Sequence, residues 1–278
     1  MTDEHIDITP EQIDFARRDL PVEHVTSADG TSIAYERTGS GPPVVIVGGG
    51  LNEKAMHADL ADLLSRDFTV YNYDRRARGD SDDRLVGPYT VQREIEDLAA
   101  VIEAAGGPCH LYANCSGAMI AIPAAAQGLP IARMGMYEPP YASPQPPPEY
   151  LETLKQMLAE ERITDAVDYF LKAALFSDSE LVYLKDHPIW PAFEAMAHSM
   201  PYDATLSTNG VKIPVEELAR VPVPAMVLGG KQSPGWMLDN CRALATGMPQ
   251  GRFHLMEKAG HLMDDREGAE VLADFFRE

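Results

Sequence analysis

The stretch that most constrains this fold is PCHLYANCSGAMIAIPAAAQ, residues 108–127. A short apolar run ends in Ala113-Asn114-Cys115-Ser116-Gly117 and passes without a spacer into an alanine-rich helical pattern. That order reads as strand, tight turn, helix. Such a turn lifts its central side chain out of the chain path, provided the residues two before and two after it are small. Ala113 and Gly117 meet that condition around Cys115. Centring the turn on Ser116 would place the larger Asn114 at a flank, which fits worse. The bland alternative for Cys115 is a small buried apolar residue, as free cysteines often are. Against it, a thiol at the first turn of a helix meets unpaired backbone N–H groups and about half a positive unit charge, which favour the thiolate.

The rest of the chain alternates strands and helices around this turn. Val22–Thr26 and Thr31–Arg37 flank Asp29-Gly30 as a hairpin. Pro43–Val47 is continuously apolar, as a strand covered on both faces must be, and runs into Gly48-Gly49-Gly50. Phe68–Tyr73 is the next strand, Val91–Ala105 an amphipathic helix, and Ala132–Tyr137 a strand ending at Glu138-Pro139-Pro140. Helical periodicity then replaces the alternation over residues 141–215. Val221–Gly229, Trp236–Ala245, Gly251–Met256 and Glu267–Phe276 restore it as strand, helix, strand, helix. Ahead of all this, Thr9-Pro10-Glu11-Gln12 predicts a short helix to about Arg18, within an N-terminal extension of residues 1–20. A rival outline, Gly48-x-Gly50 followed by Asp74, suggests a dinucleotide-binding unit. It fails at the third glycine, where Glu53 would face the pyrophosphate.

The elbow motif resembles the nucleophile turn of the α/β-hydrolase superfamily, with Ala113 for the usual Gly and Cys115 for the usual Ser. The segment Asp74-Arg75-Arg76-Ala77-Arg78-Gly79-Asp80-Ser81 resembles that superfamily's D-x-R-G-x-G-x-S turn, with Ala77 where glycine is common. Gly260-His261, after the last strand, resembles its catalytic histidine. The resemblance implies a mostly parallel sheet flanked by helices, a core of residues 1–140 and 216–278, and a helical lid at 141–215. It also implies an oxyanion hole from the N–H of Gly50, or of Leu51 one register later, together with that of Ser116. Most members carry the triad acid after the seventh strand, where Gly229–Pro234 offers no carboxylate. The superfamily's alternative position, after the sixth strand, is Glu138, with Asp264 and Asp265 as fallbacks. Equally, Glu138 reads as a structural carboxylate ahead of a Pro-Pro turn. The arginines at 75, 76 and 78 read as neutralised by the interleaved Asp74, Asp80, Asp82 and Asp83.

These residues imply an enzyme in which Cys115 attacks an ester, thioester or lactone, with His261 as base and Glu138 orienting it. Asn114, Tyr150, Trp190 and Trp236 are the expected contacts for a small hydrophobic or aromatic substrate. Other lid side chains, Met157, Phe170, Phe176, Tyr183, Phe193 and Met196, either line that pocket or hold the lid to the core. The alternatives are a non-hydrolytic cyclase, lyase or carbon–carbon bond-forming enzyme of natural-product biosynthesis, and a silent binding protein. His261 at its expected place counts against the last.

Composition narrows the partners. Acidic residues outnumber basic ones 43 to 23, a net charge of −20, so nucleic acid and anionic membrane surfaces are repelled. Three cysteines without Cys-x-x-Cys or nearby histidine spacing suggest neither a zinc site nor disulfides, and no metal or cofactor motif is evident. The opening residues, MTDEHIDITPEQ, lack a basic-then-apolar signal, and no apolar run reaches membrane-spanning length. The expectation is a cytoplasmic protein.

Overall fold

The protein's structure is a computed structural model describing residues 18–84, 87–142, 144, 146–174, 176–208 and 212–278. Nearly all of the expected N-terminal helix lies outside the described residues. Among the described residues eight strands form one sheet in the order β1-β2-β4-β3-β5-β6-β7-β8. They are β1 (Val22–Thr26), β2 (Ser32–Gly39), β3 (Pro43–Val47), β4 (Thr69–Tyr73), β5 (Cys109–Asn114), β6 (Ile131–Tyr137), β7 (Ala225–Gly230) and β8 (Gly251–Met256). Only β2 runs against the others, because the two-residue corner at Asp29-Gly30 folds it back on β1. Gly30 takes φ 86° there, and Thr31 N–H donates to the Asp29 carboxylate at 3.0 Å.

Alternate strand residues serve opposite faces, the period of two that a pleated strand imposes. Val45, Val47, Leu111, Ala113, Met134 and Val227 pack with α2 (Val91–Ala104), α3 (Ala118–Ala126) and α10 (Gly235–Gly247). Val44, Ile46, Val70, Tyr112, Tyr137 and Leu228 pack on the other face with α1 (Ala58–Leu64) and α11 (Asp265–Arg277). Both faces are covered, which is why β3 and β5 carry continuous apolar runs.

Between β6 and β7 lie α4 (Tyr150–Ala159), α5 (Ile163–Ala173), α6 (Asp178–Asp186), α7 (Trp190–Ala195), α8 (Met200–Thr208) and the single turn α9 (Val215–Leu218). Tyr150, Leu154, Phe170, Leu181, Trp190, Phe193 and Met200 join a third cluster, to which the core contributes Leu51. At about 2 kcal/mol per buried large side chain, this cluster packs these helices against one another and against Leu51.

Candidate active site

The residues singled out by sequence converge at the C-terminal ends of the parallel strands. Pairing of β5 with β6 sets Asn114 opposite Tyr137, so Cys115 and Glu138 are the next residues of two adjacent strands. Pairing of β3 with β5 sets Val47 opposite Ala113, which brings Gly48 and Gly49 alongside. Among the described residues six non-glycines have positive φ, and three of them stand here: Leu51 at 50°, Cys115 at 48° and Glu138 at 44°. At about 1–3 kcal/mol each, such strain persists where the surroundings over-determine it and marks a functional turn. A methyl group at Gly117 would lie 2.5 Å from the Val47 carbonyl, so only glycine lets the elbow pack against β3. A methyl at Gly49 would lie 3.1 Å from Cys115 Cβ, which shows how closely that loop passes the thiol.

Glu138 is fully buried, and its two oxygens have separate tasks. One accepts the Gly230 N–H at 2.8 Å, and the other meets His261 Nδ1 at 2.8 Å. The histidine loop is fixed by the Tyr137 hydroxyl, which donates to the Gly260 carbonyl. It also packs so tightly on Gly230 that a side chain there would collide with the carbonyls of Ala259 and Gly260. Burial by itself would lower the His261 pKa. Hydrogen bonds to Cys115 and Glu138, and the negative charge of both, overcome that and push it up to about 10. Burial pushes the Cys109 thiol up to about 12, and Cys241 is likewise raised by burial. Neither fallback acid holds the histidine. Asp264 caps α11 by accepting the Glu267 N–H at 2.8 Å, and burial beside Asp59 and Asp264 raises Asp265 to about 7.

Beside the thiol, the Gly48–Leu51 loop is braced from two directions. Asn52 accepts the Gly49 N–H at 3.0 Å and donates to the Gly50 carbonyl at 3.2 Å, and Asn114 donates to Asn52 at 3.2 Å. From below, Arg75 Nη1 donates to the Gly49 carbonyl at 3.1 Å and the Ser116 hydroxyl at 3.3 Å. Among the described residues, the amides of Gly50, Leu51 and Ser116 donate to no protein acceptor, so all three suit an oxyanion.

The arginines are not neutralised by their neighbours in sequence. Arg75 is gripped by Glu94 of α2 through two bonds of 2.6 Å and reaches Asp203 of α8 at 3.0 Å. Arg76 pairs with Asp97 and Asp29, and Arg78 pairs with Asp203. Asp74 instead accepts from Lys54 and from the Asp80 N–H, so it is not free for a ribose, which counts against the dinucleotide outline. Side chains in a tight turn point apart, so the partners must come from other elements. Burial would raise the Asp203 carboxyl, but Arg78 and Arg75 hold it below the usual carboxylate range. Asp203 was not legible as a site residue in the sequence. Its one signal is an acid in an otherwise weakly charged helical stretch.

A cavity of about 160 Å³ opens over Cys115 and His261. Its floor includes Gly49, Gly50, Asn114 and Ser116, its roof Tyr150, Phe170, Phe176 and Phe193 of the insertion, and Trp236 of α10 also lines it. Three of the four expected substrate contacts thus line it. The fourth, Trp190, does not: its ring is buried inside the insertion, with Nε1 donating to Glu194 at 2.9 Å and Lys185 over its face. Met157, Tyr183 and Met196 likewise belong to the insertion's packing.

A strained elbow, a histidine after the last strand and a carboxylate after the sixth, on a sheet of this order, define an α/β-hydrolase fold. The chain belongs to the alpha/beta hydrolase family, whose family model matches residues 44–274. A crystal structure of an alpha/beta hydrolase from Sphaerobacter thermophilus is 44% identical. It superimposes with a TM-score of 0.87 over 91% of this chain and 100% of that one. An enol-lactonase from Burkholderia xenovorans LB400 shares the fold at 19% identity and TM-score 0.70, over 92% of this chain and 100% of its own. In Bacillus subtilis the uncharacterized hydrolase YraK is 29% identical over 96 residues, a match spanning 34% of this chain and 35% of that protein. Among the described residues no helix is long and apolar enough to cross a membrane.

Proposed function

We propose that this protein is a cysteine-dependent acyl hydrolase or acyltransferase acting on an ester, thioester or lactone of a small hydrophobic compound, with residues 141–215 as its lid. The observation that carries this reading is Cys115 at φ 48° beside a histidine whose far nitrogen is held by a buried glutamate. The substrate carbonyl enters under the apolar roof and Cys115 Sγ attacks its carbon. The oxyanion that forms is held by the N–H of Ser116 and that of Gly50 or Leu51. Collapse expels the alcohol, thiol or enol, which takes its proton from the His261 imidazolium. Water or an acceptor then attacks the thioester, gives its proton to His261, and releases Cys115.

A protonated His261 at neutral pH is the form this first step needs. A thiolate is already the reactive form of sulfur, so the ring serves first as acid rather than as base. The wider structural neighbours named as esterases and as an enol-lactonase make ester and lactone carbonyls the first substrates to try. Brief exposure to activated esters and acyl thioesters, followed by intact-protein mass, tests the reading. An acyl adduct is expected on the wild type and absent from Cys115→Ala. A folded wild type with neither adduct nor turnover would sink it and favour non-hydrolytic chemistry in the same cavity.

A further inference from the structure

We infer that Asp203, carried on α8 of the insertion, is a positioning residue that completes the oxyanion hole by acting through Arg75 and Ser116. The inference rests on the acyl-transfer reading above and deepens it.

The geometry turns on one guanidinium nitrogen. Arg75 Nη1 lies 3.1 Å from the Gly49 carbonyl, 3.3 Å from Ser116 Oγ and 3.0 Å from Asp203 Oδ1. The Gly49 carbonyl and the Gly50 N–H belong to the same peptide, which is planar and trans, so oxygen and hydrogen point in opposite directions. Drawing that oxygen down to Arg75 therefore aims the Gly50 N–H up, toward the space over Cys115. On the other side of the thiol, the Ser116 hydroxyl donates to Asp203 Oδ1 at 2.9 Å, which anchors the residue whose own N–H is the second donor. Both donors are thus oriented by one buried cation and one buried anion, the anion standing at the cavity's edge.

Asp203 is the part of this arrangement that comes from outside the sheet. Arg75 has a second counter-charge in Glu94, whereas among the described residues Arg78 has its ion pair with Asp203 alone. Asp203 is 2% exposed and stands beside Gly50, where a methyl group would be 3.4 Å from its Cγ. Its Oδ1 serves Arg75 and Ser116 and its Oδ2 serves Arg78, so its charge is spent on the protein rather than on a ligand. Docking α8 against the core and aiming the oxyanion donors are then one event, and the hole is complete only with the insertion in place.

The test compares two reactions of the same sulfur in the full-length protein. Acylation by a p-nitrophenyl ester forms the Sγ–carbonyl bond through a tetrahedral oxyanion and expels p-nitrophenolate. Alkylation by iodoacetamide forms an Sγ–CH2 bond and expels iodide with no oxyanion. Both are followed by intact mass at Cys115, with folding checked by near-UV circular dichroism. Asp203→Asn is expected to slow acylation by about 100-fold and alkylation by no more than about threefold. Ser116→Ala leaves every charge paired and keeps the backbone donor. It is expected to slow acylation by about tenfold with alkylation unchanged, and it decides the matter if Asp203→Asn does not fold. Equal losses in both reactions, or no loss of acylation, overturn the inference. A wild type that is alkylated but never acylated overturns the acyl reading and this inference with it, an outcome distinguishable because it needs no variant.

Discussion

The floor and the roof of the cavity place their side chains by different means. On the floor and directly beneath it, Cys115, Gly49 and the buried Glu138 follow directly from strand register, with hydrogen-bonded neighbours on each side and positive φ at Cys115 and Glu138. On the roof, Tyr150, Phe170, Phe176 and Phe193 project from short helices and the segments between them, held by apolar contact with one another and with Leu51. A ladder fixes position to a fraction of an ångström, whereas apolar packing fixes volume and tolerates rearrangement. The floor should therefore govern rate and the roof selectivity. Asp203, a polar tie that runs from the insertion to the floor, is the exception that makes this division worth testing.

The largest effect is expected on the floor. In Glu138→Gln the amide can keep the Gly230 bond only by turning its NH2 toward His261, so the ring loses its acceptor and its counter-charge. The acylation rate should fall roughly 100- to 1000-fold with KM within about threefold, measured on the best ester found. A pH signature accompanies it. The folded pKa of His261, about 10, lies above its ordinary value of 6.5. At pH 8 to 9 the folded protein therefore holds a proton that the unfolded chain has released. The stability this proton confers is complete below about pH 6.5 and is lost as pH rises through about 10. Thermal melts across pH 6 to 10 should show that decline in the wild type and a flatter profile in Glu138→Gln. An unchanged profile would mean that Glu138 does not hold the proton.

A roof change of similar size should behave differently. Phe170 reaches down to Gly50, where a methyl group would be 3.3 Å from its ring edge. Phe170→Ala is expected to raise KM about tenfold for esters with bulky acyl groups, to leave acetyl esters nearly unaffected, and to keep kcat within about threefold. A uniform loss of kcat across the ester series would break the division between floor and roof.

The two regions also differ in how far their sequence can be read. The sheet was legible because strands buried on both faces must be runs of apolar residues, and because Cys115 and Glu138 stand at the ends of such runs, with His261 in the loop after β8. Glu138 stood out because the superfamily's alternative acid position falls on it while no carboxylate follows β7, although a structural carboxylate fitted the sequence equally, and the histidine loop packs against Gly230 at the end of β7. The insertion was legible as helices but not in its facing. Periodicity marks Trp190 and Phe193 alike as apolar, yet only the contacts between helices decide that Phe193 lines the cavity and Trp190 does not. The arginines show the same limit in charge. Adjacent aspartates look like partners on paper, but Arg75 and Arg78 find theirs in Asp203, more than a hundred residues away.

The smallest effect separates the roof's lining from its interior. Trp190 makes its hydrogen bond to Glu194 and stacks edge to face with Phe193, their centroids 6.4 Å apart, without touching the cavity. Replacing it by phenylalanine keeps an aromatic ring in the cluster and removes one hydrogen bond, a cost of about 1 kcal/mol. The melting temperature should drop by roughly 2 °C, and KM and kcat should stay as they are for every ester in the series. If Trp190→Phe instead reproduced the ester selectivity of Phe170→Ala, packing inside the insertion would be shaping the cavity as directly as its lining does. Roof and interior would then have to be treated as one deformable unit set against a rigid floor.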